Sequence, residues 1–266
     1  MLHMRRVIVT RPEREALQWV AALQARGIGA HALPLIAISP PTDADALQAA
    51  RDHITNYRAV MVVSSNAAQH FFDQNTALAL TVQAQAAIKT RVWSPGPGTA
   101  HALQMLGVDA ACIDQPAADA AQFDSESLWA QVQRQIGPGD AVLIVRGTEA
   151  GAYQQGTGRD WLAQQITAAG GRVDFVVAYT RGAPDWTEAQ RTQARTAASD
   201  GALWLLSSSQ ALDNLRAALP GQAWDRAHAL ATHPRIAQAA RALGFASVHE
   251  CRPALTDVAA SIESMP

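Results

Sequence analysis

The chain has 266 residues, 48% of them hydrophobic and 17% charged, with a formal net charge of −2. That balance excludes disorder and supplies enough apolar surface for one large domain or two small ones. The mixed signs and the absence of a Lys/Arg run speak against nucleic acid, whose partners carry a basic stripe. An anionic ligand would have to be held by local donors and helix starts. Cys112 and Cys251 lie far apart and match no metal spacing, so they read as reduced thiols. Met1 to Arg6 leads straight into a strand-like run without a signal-peptide pattern. No apolar stretch approaches the roughly 20 residues that span a bilayer. The expectation is a cytoplasmic protein without a membrane or nucleic-acid partner.

Val7-Ile8-Val9-Thr10 reads as a buried parallel strand. Pro12 opens a helix with Leu17, Val20, Ala21 and Leu23 at helical spacing, Gly27 stops it, and His31 to Ile38 reads as the next strand. Val60 to Val63 forms another strand, which ends at the capping residues Ser64-Ser65-Asn66 before a helix over Ala67 to Phe72. Gly96-Pro97-Gly98-Thr99 opens a helix after the short run at Val92-Trp93. Strand, turn and helix in this rhythm indicate a doubly wound α/β fold.

The second half runs through the same order. Val142 to Arg146 parallels Val7 to Arg11, and Trp161 to Tyr179 parallels Trp19 to Ile38. Leu203 to Ser209 parallels Val60 to Asn66, His233 to Phe245 parallels Gly96 to Val108, and Leu255-Thr256-Asp257 parallels Phe123-Asp124-Ser125. Two copies of a long period predict two similar lobes, since a solenoid needs about three repeats. Such lobes favour a ligand cleft, with ligands at the carboxyl ends of strands, where helix N-termini point. The residues predicted there are Thr10, Ser64, Ser65, Asn66, Gly96, Gly98, Thr99, Ser207, Ser208 and Thr232.

Several common chemistries are argued against. The Gly96 turn lacks the third glycine of a dinucleotide fingerprint, and no Gly-Lys-Ser/Thr closes a Walker loop. No G-x-S-x-G surrounds Ser64 or Ser207, so these serines read as helix caps rather than nucleophiles. None of the eight histidines makes a metal pattern, and His233 reads as a surface or capping residue. Tyr179 ends the strand Val173 to Tyr179 near the junction of the repeats, where a half-buried structural tyrosine is the plain alternative to function. Arg11 and Arg146 sit at matched strand ends and face either a ligand or a surface ion pair.

Taken in order, these blocks resemble the uroporphyrinogen-III synthase family over nearly the whole chain. The resemblance is carried by the opening Val9-Thr10-Arg11-Pro12, Leu33 to Pro40, Ser64-Ser65-Asn66-Ala67, Gly96 to Ala100, Asp124 to Leu128, Val145-Arg146-Gly147, Gly158 to Leu162 and Val177 to Arg181. It implies two flavodoxin-like α/β lobes with parallel sheets, joined by two crossing segments, with a cleft between them. One lobe would hold 1–38 plus 181–266, the other 39–180. It implies a cofactor-free, metal-free and monomeric lyase that cyclises hydroxymethylbilane, received from hydroxymethylbilane synthase, to uroporphyrinogen III. The last pyrrole is inverted and water is lost, a step of heme biosynthesis. Tyr179 matches the family's tyrosine and is assigned as donor to the leaving hydroxyl. The substrate's carboxylates would meet Thr10, Arg11, Ser64, Ser65, Asn66, Gly96, Gly98, Thr99, Arg146, Gly147, Arg159, Ser207, Ser208, Pro234 and Arg235. One departure stands out. Where the family often has Gly-Pro-Thr-Thr-Ala, this chain has His233-Pro234-Arg235-Ile236-Ala237, which removes two hydroxyls and leaves Arg235 as the candidate carboxylate contact. The alternative reading is a non-catalytic two-lobed module that binds a tetrapyrrole or another anion.

Overall fold

The computed structural model describes residues 6–82, 90–120, 122–150 and 161–265. The first half of the chain forms β1 (Val7–Val9), α1 (Glu13–Gln24), β2 (Ala30–Ala32), β3 (Ala37–Ser39), α2 (Ala44–Asp52), β4 (Ala59–Val62), α3 (Ser65–Phe71), α4 (Gln74–Val82), β5 (Arg91–Trp93), α5 (Pro97–Met105), β6 (Ile113–Asp114) and α6 (Ser125–Val132). The second half forms β7 (Ala141–Glu149), α7 (Trp161–Ala168), β8 (Arg172–Gly182), α8 (Glu188–Ser199), β9 (Leu203–Leu206), α9 (Ser209–Ala218), β10 (His228–Ala231), α10 (Pro234–Leu243), β11 (Ser247–Glu250) and α11 (Leu255–Glu263). Strand and helix alternate along the chain except at β2–β3 and α3–α4, and the α/β class with parallel sheets is as the sequence predicts.

Two compact units result: Met1–Ile38 with Gly182–Pro266, and Ser39–Arg181. The first holds a five-stranded sheet in the order β11-β10-β9-β1-β2, all of its pairs parallel. The second holds a six-stranded sheet in the order β3-β8-β7-β4-β5-β6. Laid against the sequence repeat, the two orders correspond except for β3, the extra edge strand of the second sheet. β1 and β2 occupy in one sheet the places of β7 and β8 in the other, while β9, β10 and β11 match β4, β5 and β6. Each sheet therefore combines the first two strands of one repeat with the last three of the other.

The burial pattern explains why these strands read as continuous apolar runs. In the first unit, Val7, Val9, Leu203 and Leu205 face a core shared with α1 and α11. Their neighbours Ile8, Trp204 and Leu206 face the opposite core with α8, α9 and α10. A sheet covered on both sides buries every residue of a central strand. Trp204 is wholly buried, donates from Nε1 to the Ala197 carbonyl at 3.1 Å, and meets Trp224 edge-on at 5.3 Å. In the second unit, Met61, Trp93, Leu128, Ile144, Leu162 and Ile166 make a comparable core under α6 and α7.

One predicted element requires correction. His31 to Ile38 is not one strand: Ala30–Ala32 pairs with β1 in the first sheet, and Ala37–Ser39 lies at the edge of the second. Pro34 between them has no N–H to give a ladder, so pairing breaks there. The matched segment β8 runs unbroken for 11 residues, with no proline inside it.

Candidate active site

β4, β7 and β8 are adjacent in the second unit, and their carboxyl ends converge. Ser64 follows β4 and caps α3, its Oγ accepting from the Ala67 N–H at 3.1 Å. The same Oγ lies 3.2 Å from the Tyr179 hydroxyl on β8. Tyr179 is 5% exposed, and its ring stacks on His70 of α3 with centroids 5.9 Å apart. Beneath the ring lies Gly147 of β7, where an added Cβ would stand 2.3 Å from the Tyr179 Cζ. The β7–β8 register slips by one residue between Arg146 and Gly147, so Arg146 pairs with Val177 while Gly147 pairs with Tyr179.

A cavity of about 330 Å³ opens on this cluster. Its walls include Arg146, Gly147, Phe175, Tyr179 and Arg181 from the two strands, with Asp124, Ser125 and Glu126 from the start of α6. The Arg146 guanidinium lies over the Phe175 ring, 4.1 Å from its centroid, a cation–π contact that keeps a flat donor fork in place. Arg181 stands 3.6 Å from Glu149. Asp124 caps α6 by accepting from the Ser127 N–H at 2.8 Å. Two guanidiniums, a phenol and a helix start around one cavity can hold carboxylates and deliver a proton. Among the described residues no group of three or more His, Cys, Asp or Glu could hold a metal ion.

The remaining predicted residues that are described lie in both units. Near the cavity, Ser65 donates to the Gly98 carbonyl at 3.3 Å, tying α3 to the start of α5, and Asn66 occupies the first turn of α3. Gly96 caps α5, and an added Cβ there would meet the Phe123 Cβ at 2.9 Å; Gly98 is exposed in the first turn and Thr99 is buried. In the first unit, Ser207 and Ser208 follow β9 and precede α9. Pro234 opens α10 and Arg235 is exposed on its first turn, where its N–H donates to His233 Nδ1 at 3.1 Å. Capping is thus the role His233 takes. Two predicted residues are engaged within the first unit. Thr10 is buried and donates its hydroxyl to the Leu205 carbonyl at 2.6 Å, so it ties β1 to β9. Arg11 bonds to Glu15 at 3.3 Å and lies 4.0 Å from the Trp19 ring centroid; burial lowers its pKa despite the carboxylate. Arg159 lies outside the described residues.

His70, Phe175 and Arg181 were not singled out from sequence. His70 has no motif around it, and Phe175 reads as an ordinary strand residue. Arg181, two residues beyond Tyr179 on the same strand, was within reach of simple alternation.

The family model described as Uroporphyrinogen-III synthase HemD matches residues 18–257, most of the chain. The chain belongs to the uroporphyrinogen-III synthase family. Two solved structures with that family's name share the fold. A uroporphyrinogen-III synthetase from Helicobacter pylori is 12% identical, with a TM-score of 0.54 over 98% of each chain. A mutant uroporphyrinogen III synthase from the extremely thermophilic bacterium Thermus thermophilus is 16% identical, with a TM-score of 0.51 over 94% of each chain. Uroporphyrinogen-III synthases act on hydroxymethylbilane in porphyrin and heme biosynthesis.

Proposed function

We propose that this chain closes hydroxymethylbilane to uroporphyrinogen III as a cyclising hydro-lyase, with Tyr179 giving a proton to the departing hydroxyl. The observation that carries the reading is a buried phenol at strand ends, held by Ser64 and facing a cavity flanked by Arg146 and Arg181. Protonation of the hydroxyl on the hydroxymethyl carbon releases water and leaves an azafulvene. The substituted carbon of the terminal ring attacks it, forming a spiro intermediate. That intermediate fragments and recloses at the free α-carbon, which sheds a proton as it regains aromaticity. The phenol's proton is thus balanced by one released later, and the net loss is one water.

Pyrroles stabilise positive charge by themselves, so the protein's larger task is to fold the chain and choose the attacking carbon. A volume of about 330 Å³ lies at the low end for ligand pockets and suits one substituted pyrrole, not four. The ring bearing the hydroxymethyl group is assigned to it, beside Tyr179. Arg146 takes a carboxylate there, with Arg159 as a further candidate. Main-chain N–H groups in the first turns after Ser64, Gly98, Ser207 and Pro234 take others, helped by Ser65, Asn66, Gly96, Thr99, Ser208 and Arg235. The protein is expected to act as a cytoplasmic monomer, taking its substrate from hydroxymethylbilane synthase. The described residues include no helix long and apolar enough to cross a membrane.

The test supplies freshly made hydroxymethylbilane and separates the oxidised products by isomer. Isomer III in excess of the spontaneous isomer I is the expected result. Isomer I alone would move the protein to the class of non-catalytic tetrapyrrole binders. Arg235→Ala is expected to raise KM without changing kcat, and an unchanged KM would remove Arg235 from the binding set.

A further inference from the structure

The Tyr179 ring is confined by Gly147, His70 and Ser64, of which only Gly147 lines the cavity. An added Cβ on Gly147 would lie 2.3 Å from Cζ, 2.5 Å from Cε2 and 2.8 Å from Cε1. Carbon atoms pack at about 3.5–4.0 Å, so any side chain at 147 must drive the hydroxyl end of the ring away. The slip in the β7–β8 ladder is what sets Gly147 opposite Tyr179. His70 closes another side by stacking. Ser64 fixes the hydroxyl itself. Its Oγ already accepts from the Ala67 N–H at 3.1 Å, and a serine hydroxyl has one proton to give. Given to the phenolic oxygen at 3.2 Å, that proton leaves the phenol's own O–H free to point elsewhere.

We propose that Gly147 and Ser64 are positioning residues for Tyr179: the glycine seats the ring, and the serine hydroxyl donates to the phenolic oxygen so that the phenol's proton is presented to the substrate. This rests on the reading of Tyr179 as the proton donor and assigns to Gly147 a role through that residue in place of direct substrate contact. Donation from Ser64 also stabilises the negative charge that grows on the phenolic oxygen as its proton leaves.

Double-mutant cycles on the full chain test the pairing, read as single-turnover rates of isomer III formation, with circular dichroism and Tm recorded for each variant. Gly147→Ala is expected to slow the reaction by about as much as Tyr179→Phe, roughly 10- to 100-fold, with KM changed by less than about threefold. Adding Gly147→Ala to Tyr179→Phe should cost less than about threefold more, because both changes remove one function. If Gly147→Ala does not fold, the Ser64 series decides. Ser64→Thr keeps both the helix cap and the donated proton and should keep kcat. Ser64→Asp keeps a capping acceptor but cannot donate, and should lose kcat about as Ser64→Ala does. In the Tyr179→Phe background the three Ser64 variants should share one kcat.

Fully additive losses in both cycles, a wild-type kcat for Gly147→Ala, or a wild-type kcat for Ser64→Asp would each overturn the positioning role. An undiminished rate for Tyr179→Phe would instead bring down the donor reading on which it rests.

Discussion

Two arginines at matching positions of the repeat have different fates, and the difference lies in their immediate neighbours. Arg11 finds Glu15 one helical turn away and Trp19 beyond it, and its guanidinium is drawn into that packing. Arg146 has Phe175 under it on the neighbouring strand and stays at the cavity wall. Arg11→Ala is therefore expected to lower stability by about 1 kcal/mol with KM unchanged, through lost stacking and packing. Arg146→Ala should raise KM roughly 10-fold, with a stability cost like that of Arg11→Ala from the lost stacking on Phe175. Thermal unfolding and steady-state kinetics on both variants would separate the roles; the reverse pattern would mean that the guanidiniums had been read the wrong way round. Cys251 makes a third residue-scale case. Burial, then Asp257, pushes its thiol up to about 11, so it stays protonated at neutral pH. Iodoacetamide at about pH 7.5 should label Cys251 much more slowly than a free thiol, and equal rates would contradict that burial. Sequence alone could match Arg11 to Arg146, although β7 runs on past Arg146 to Glu149. It could not tell them apart, because the deciding partners are a helical turn away in one case and a strand away in the other.

At the scale of elements, α3 holds both Ser64, at its start, and His70, near its end, so its placement governs Tyr179. Arg51 of α2 secures the far end. Its Nε donates to the Phe71 carbonyl at 2.8 Å and a terminal nitrogen to the His70 carbonyl at 2.7 Å, satisfying two carbonyls of the last turn. Arg51→Ala should cost about 2 kcal/mol in denaturant unfolding, as expected for charged hydrogen bonds; a loss under about 0.5 kcal/mol would show the anchor to be idle. The next helix, α4, depends on a carboxylate. Asp73 accepts from the N–H and the hydroxyl of Thr76, each at 2.8 Å, and the Thr76 N–H bond is the main reason its pKa is lowered. A pKa depressed by folding adds stability above the unfolded value, near about 3.9, that is lost as pH falls through the folded value. Asp73→Ala should thus cost about 1 kcal/mol near neutral pH, and the gap from wild type should narrow below about pH 4. A gap independent of pH would contradict the ionised cap. Caps of this kind were legible: residue type marks Ser64-Ser65-Asn66 as a helix start, and the structure gives the cap to Ser64 and begins the helix at Ser65. The split of residues 30–39 between two sheets was not, since β2 and β3 carry one continuous apolar pattern and only Pro34 marks the break. The slip at Gly147 was equally hidden, because strand alternation assumes an unbroken register.

For the whole molecule, the internal repeat was the most legible feature, because buried parallel strands keep their apolar runs in both copies. Its consequence for folding is asymmetric. The unit Ser39–Arg181 is continuous in sequence and contains every strand of its sheet, apart from Ala37 and Ile38 of β3 and Gly182 of β8. The other unit needs β1 between β9 and β2, and β1 comes from the opposite end of the chain. A fragment of residues 39–181 is expected to unfold cooperatively by itself. A fragment of residues 182–266, lacking Val7, Ile8 and Val9 from both faces of its core, is not. Cooperative unfolding of the second fragment would contradict the central place given to β1. The same division between scaffold and residue applies to the proposed chemistry, in which the fold chooses which carbon reacts and Tyr179 only speeds the departure of water. The most direct measurement is the rate and isomer composition of the product formed from hydroxymethylbilane by Tyr179→Phe. A rate lowered roughly 10- to 100-fold with isomer III still dominant is the predicted result. A wild-type rate, or a product turned over to isomer I, would contradict it.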